Sequence, residues 1–155
     1  VPGKLLAGDF PGAFARHDAV RRLRRLHWCG VSELIDLTSD RECRHSHYLD
    51  VLDATMRHRR FTVADCGVPE REEMSAILAA IDGSLAAGKV VYVHCFGGIG
   101  RTGTVVGCYL VRHGEEGETA LRKLTMLRQS TLKAHMPSPE NSRQEMMILE
   151  WRVGQ

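Results

Sequence analysis

Residues 90–103 read Val-Val-Tyr-Val-His-Cys-Phe-Gly-Gly-Ile-Gly-Arg-Thr-Gly. An apolar, β-branched run ends in His94 and Cys95, and Arg101 stands six positions after the cysteine. Gly97, Gly98 and Gly100 lie between them, so the backbone can bring its N–H groups close to an anion. A thiol at the start of a helix, beside a guanidinium, is favoured as the thiolate, the form that attacks. The N–H groups of Phe96, Gly97, Gly98, Ile99, Gly100 and Arg101 are expected to hold the three non-bridging oxygens of a phosphate. Arg101 adds a planar fork that suits two of those oxygens better than a lysine would. Thr102 is placed to hydrogen-bond the thiolate, and His94 to fix the loop from behind.

Two other readings compete for the same residues. A cysteine ending an apolar strand is often a buried structural residue, but the arginine and three glycines that follow are then unexplained. Gly98-Ile99-Gly100-Arg101-Thr102-Gly103 also satisfies the glycine fingerprint of dinucleotide sites. That site needs an acidic residue at the end of a further strand, about 20 residues on. Glu115, Glu116 and Glu118 are near that distance, yet they fall between two helical patterns with no strand between them. A Walker A loop is excluded because no Gly-Lys-Ser/Thr follows.

His94-Cys95-x-x-Gly98-x-x-Arg101-Thr102-Gly103 resembles the signature of the cysteine-dependent protein tyrosine phosphatase superfamily, in its compact, dual-specificity-like branch. Asp65-Cys66-Gly67-Val68-Pro69 is similar to that family's acid loop, with Val63 and Ala64 in place of a leading Trp-Pro. The resemblance implies Asp65 as general acid, then as the base that activates water. Ser138 to Met146 is similar to the family's distal segment, where Gln144 matches the residue that positions the water. The implied activity is hydrolysis of phosphotyrosine, with some phosphoserine/threonine, through a cysteinyl-phosphate. Family members acting on phosphoinositides usually carry Lys in the loop, and Phe96 to Gly100 carry none, although Arg57 to Arg60 could border the site. Alternatives are a phosphoinositide or nucleic-acid 5′-phosphatase, a sulfur transferase, or a phosphate-binding module without turnover. Tyr48 is a candidate wall of a phosphotyrosine pocket. Asp40 and Glu42 are candidates to brace Arg101.

The elements that must position these residues alternate. Strands are expected at Lys4 to Gly8, Val31 to Leu37, Arg60 to Ala64 and Val90 to His94. Helices are expected at His17 to Trp28, Tyr48 to Met56, Glu70 to Ala87, Thr102 to His113, Glu118 to Gln129 and Pro139 to Trp151, the last capped by Ser138. That order implies an α/β fold, a mostly parallel central sheet flanked by helices in a single domain over residues 1–155. In such sheets ligands bind beyond the carboxyl ends of strands, which is where Cys95 lies.

The chain has 155 residues, 43% of them hydrophobic, and a net charge of +2, so no strong nucleic-acid or membrane field is implied. No apolar run reaches the roughly 20 residues of a membrane span, and no apolar leader is visible at Val1. Five cysteines at irregular spacing make a poor disulfide framework and point to a reducing, cytoplasmic setting. Cys43-Arg44-His45-Ser46-His47 has metal-like residue types without metal-site spacing, so neither metal nor cofactor is expected. Cys43 and Cys66 are candidate redox partners of Cys95. Arg21, Arg22, Arg24 and Arg25 form a charge run that reads as a solvated helix face, or a dock for an acidic partner.

Overall fold

The computed structural model describes residues 4–155, so the reading of Val1 lies outside the described residues. Four strands form one sheet: β1 (Leu5–Gly8), β2 (Val31–Asp36), β3 (Arg57–Arg60) and β4 (Val90–His94). Their spatial order is β1-β4-β2-β3 and every pairing is parallel. The fold is the expected α/β arrangement. The register aligns Gly8 and Asp36 with His94, and Asp36 with Arg60, across the carboxyl edge of the sheet.

Helices cover both faces. On one face lies α1 (Arg16–Trp28), over a core of Phe10, Leu23, Leu34, Tyr48 and Tyr92. On the other lie α3 (Arg71–Ala86), α4 (Gly100–Arg112), α5 (Gly117–Arg128) and α6 (Ser142–Leu149), over Ile35, Ile77, Val93, Val105 and Ile148. Leu34 and Ile35 thus point to opposite faces, as consecutive strand residues must. None of these helices is long and apolar enough to cross a membrane.

Several elements depart from expectation. The third strand is Arg57–Arg60, earlier than the expected Arg60 to Ala64. Its four residues are all basic, which hides a strand from an apolar pattern. Buried carboxylates on β2 make it tolerable: Glu33 pairs with Arg59, and Asp36 with His58 and Arg60. The expected helix Tyr48 to Met56 shrinks to one 3₁₀ turn at Leu49–Val51. A helical turn not expected, α2 (Asp40–Cys43), starts at Ser39. Ser39 and Glu42 form a capping box there, a Ser-x-x-Glu signal legible in the sequence. The last helix starts at Ser142, capped by Asn141 rather than Ser138.

Candidate active site

Strand β4 delivers Cys95 to the carboxyl edge of the sheet, and α4 begins five residues later at Gly100. Three carbonyls of the intervening loop are held from outside. The Phe96 carbonyl accepts from the Phe10 backbone N–H at 3.1 Å, that of Gly97 from Lys133 Nζ at 2.8 Å, and that of Ile99 from Ser138 Oγ at 2.8 Å. In a trans peptide the next N–H points the opposite way. The N–H groups of Gly97, Gly98 and Gly100 therefore face the loop interior. The Gly98 N–H does so visibly, donating to Cys95 Sγ at 3.2 Å. Gly98 has φ +70°, and a Cβ there would lie 2.5 Å from the backbone of Gly8 and Asp9.

The loop is anchored from behind by buried polar groups. His94 is fully buried, its Nε2 2.7 Å from the Tyr48 hydroxyl and its Nδ1 3.3 Å from the Cys95 carbonyl. Burial drives its imidazole down to about 4, despite the nearby Asp36 charge. The ring is therefore neutral: Tyr48 donates to Nε2, and Nδ1–H donates to the Cys95 carbonyl. His94 lies behind the loop, between the Tyr48 hydroxyl and the Cys95 carbonyl. Tyr48, expected as a pocket wall, belongs to this buried support, with its ring edge against Phe10. Thr102 also differs from expectation. Its Oγ1 accepts from the Cys95 backbone N–H at 2.9 Å and reaches the Gly8 carbonyl at 3.4 Å, so it holds backbone and does not bind the thiol.

Arg101, in the first turn of α4, is buried and held on several sides. Glu42 accepts from Nη2 at 2.6 Å and from Nη1 at 3.0 Å. Nη1 also donates to the Val63 carbonyl at 3.0 Å, and Nη2 to Asp65 Oδ1 at 2.9 Å. Burial works against the Glu42 charge, but hydrogen bonds from Arg101 and Ser39 prevail and hold its carboxyl below the usual range. Of the two braces expected, Glu42 serves Arg101, whereas Asp40 pairs with Arg60.

The segment carrying Asp65 is tied to the last helix. Asn141 Nδ2 donates to the Cys66 carbonyl at 3.0 Å, and Gln144 Nε2 to the Gly67 carbonyl at 3.1 Å. Gln144 Oε1 accepts from the Glu140 N–H at 3.1 Å, and a Cβ on Gly100 would lie 2.9 Å from Gln144 Nε2. Gln144 therefore bridges the Asp65 loop and the cysteine loop. Cys66 has φ +55°, and the charges of Asp65 and Glu140 raise its thiol. Phe96, half exposed, stacks on Phe10 at 5.7 Å between centroids.

A family model described as "Polymorphic toxin system, DSP-PTPase phosphatase" matches residues 12–115, which include Asp65, Cys95 and Arg101. The chain belongs to that family. This DSP-PTPase domain is 28% identical over 115 residues to "Putative tyrosine phosphatase 067L" of Invertebrate iridescent virus 3, covering 71% of this chain and 43% of the viral protein. It is 31% identical over 105 residues to the phosphatidylglycerophosphate phosphatase PTPMT1 of Arabidopsis thaliana, covering 66% of this chain and 29% of that protein. The domain thus spans less than half the length of either relative. Among solved structures it is similar to Tk-PTP in its active form, with TM-score 0.70, 25% identity and coverage of 86% of this chain and 87% of that one. Its fold also matches kinase associated phosphatase, with TM-score 0.73 at 19% identity over 94% of this chain and 83% of that one.

Proposed function

We propose that the domain hydrolyses phosphate monoesters on proteins, phosphotyrosine foremost, through a cysteinyl-phosphate. The observation that carries this reading is Asp65 Oδ1 standing 2.9 Å from Arg101 Nη2, at the loop whose Gly98 N–H points at Cys95 Sγ. The proposed nucleophile and phosphate fork share one loop, and the proposed acid reaches that fork from a second segment.

In the first step Cys95 Sγ attacks phosphorus and forms the S–P bond as the bond to the leaving oxygen breaks. Asp65 releases Arg101 to the phosphate oxygens, takes up a proton from solvent as it does so, and gives that proton to the leaving oxygen. In the second step Asp65 takes a proton from water, whose oxygen attacks phosphorus and expels the thiolate. Gln144, whose Nε2 donates to the Gly67 carbonyl beside Gly100, is the residue we assign to positioning that water. The developing charge on the equatorial oxygens is met by the loop N–H groups and Arg101.

Four features favour phosphoprotein. No side chain of the loop except Arg101 is cationic. Lys133 reaches the loop from outside, but its amine is engaged by the Gly97 carbonyl and lies 3.5 Å from Asp9. Of the basic residues expected to border the site, His58, Arg59 and Arg60 are turned to buried carboxylates on β2. Phe96 on Phe10 offers an aromatic lip for an aryl ester. A second reading, a lipid phosphate monoester, is favoured by the likeness to phosphatidylglycerophosphate phosphatase.

Phosphate release from a phosphotyrosine peptide, a phosphoserine/threonine peptide, phosphatidylglycerophosphate and inositol phosphates, compared side by side, tests the proposal. The expected order puts phosphotyrosine first, without added metal. Highest kcat/KM on the lipid establishes the second reading instead.

A further inference from the structure

The charge run on α1 divides in the structure. Arg22 turns to the loop before the helix, donating to the Phe10 and Gly12 carbonyls at 3.3 Å. The core side of the helix is Ala19 and Leu23. His17, Arg21, Arg24, Arg25 and Trp28 follow at i, i+4, i+7, i+8 and i+11, so they form one stripe along the outer face. With Ala15 and Val20 they line a shallow surface groove. Arg21 reaches Asp18 at 2.9 Å, while Arg24 and Arg25 pair with no carboxylate among the described residues. Trp28 is 80% exposed, a large apolar surface left uncovered at the end of a cationic row.

We propose that this stripe docks an acidic, extended segment of the phosphoprotein substrate. The inference rests on the phosphoprotein reading of the active site. Its starting point is the position of α1: the helix leaves the catalytic edge of the sheet, where Arg16 pairs with Asp50 at 2.8 Å and Ala13 bridges His47. From there the stripe runs away from Cys95 for about 16 Å, at 1.5 Å per residue. An extended peptide places same-side residues about 6.6 Å apart, close to one helical turn. Carboxylates on alternate residues can therefore each meet an arginine fork, with an apolar residue on the Trp28 ring.

Other anionic partners fit less well. A membrane-surface helix needs its apolar stripe outward, and here Ala19 and Leu23 face the core. A nucleic acid is drawn by a broad basic field, which a chain of net charge only +2 does not offer.

The experiment uses the full chain and two phosphotyrosine peptides, one extended by an alternating Asp/Glu segment and one by Gly/Ser. The acidic peptide should show a KM about tenfold lower, the sum of several exposed pairs, with kcat unchanged. High salt should erase the advantage, and so should combined Arg24→Glu and Arg25→Glu. Those variants should hydrolyse a small aryl phosphate at the wild-type rate, and Arg24→Lys with Arg25→Lys should keep most of the advantage. Trp151 is buried, so an unphosphorylated acidic peptide should shift mainly the emission of Trp28. Equal KM for both peptides, or an advantage that survives charge reversal, overturns the proposal. So does an emission shift with an oligonucleotide or anionic vesicles but not with the peptide. If neither peptide is hydrolysed while the aryl phosphate is, the phosphoprotein reading fails, and the Trp28 titration alone decides whether the stripe binds acidic peptide.

Discussion

Glu42 grips Arg101 at two points, 2.6 Å from Nη2 and 3.0 Å from Nη1, from a turn 59 residues earlier in the chain. The guanidinium is thereby fixed before any phosphate arrives. Glu42→Ala leaves a buried cation free to swing, and displacements of about 1 Å near a reacting group cost on the order of 10²-fold in rate. We expect kcat/KM to fall by that order with a weaker response to inhibition by inorganic phosphate, and steady-state kinetics with an aryl phosphate checks both.

Cys95→Ser should abolish turnover, since the hydroxyl is a far weaker nucleophile, and should retain phosphate binding because the loop N–H groups remain. Calorimetry with a phosphopeptide measures the second part. Turnover at wild-type rate in this variant rules out the cysteinyl-phosphate.

Asp65→Asn removes the proposed proton donor. The loss should grow with the basicity of the leaving oxygen, reaching about 10²-fold or more for a poor leaving group, the usual size of such an effect. A series of substituted aryl phosphates gives the slope directly; a slope unchanged from wild type takes Asp65 out of the acid role.

Gly97 and Gly98 should respond differently to the same change. A Cβ at Gly97 meets nothing within 4 Å, whereas at Gly98 it would strike the Gly8 and Asp9 backbone at a φ of +70°. Gly97→Ala should keep activity within severalfold. Gly98→Ala should lose most of it, because the left-handed conformation alone costs about 1–2 kcal/mol per residue and the clash adds to that.

His94 gives stability a pH dependence. Its folded value is driven down to about 4, below the ordinary 6.5, so the unfolded chain binds the extra proton first. Its stabilising share is complete above the unfolded value. It is lost as pH falls from there toward the folded one, a loss of about 3 kcal/mol at most. Urea midpoints across that range should fall more steeply in wild type than in His94→Asn.

The signature loop and the acid loop were legible because both depend on residue types at close spacing. So did the order of strands and helices, which follows from apolar runs between turn residues. Strand β3 was hidden because Glu33 and Asp36, the partners of three of its four basic side chains, lie on another strand. The roles of Tyr48 and Thr102 were misplaced because burial and hydroxyl direction are set by packing. Glu42 was a candidate from its position after β2; that it and not Asp40 reaches Arg101 depends on the capping box that turns α2. Lys133 had no signal at all, being an isolated lysine in a polar stretch.

The ties from Asn141 and Gln144 to Cys66 and Gly67 have a consequence for where this protein can be cut. The family match ends at residue 115, yet the residues that hold the segment after Asp65, the proposed proton donor, stand more than twenty positions beyond it. A fragment ending at that border keeps Cys95, Arg101 and Asp65 and loses Asn141 and Gln144, which hold the segment after Asp65. The smallest portable unit of the proposed chemistry is therefore longer than the stretch that matches the family model.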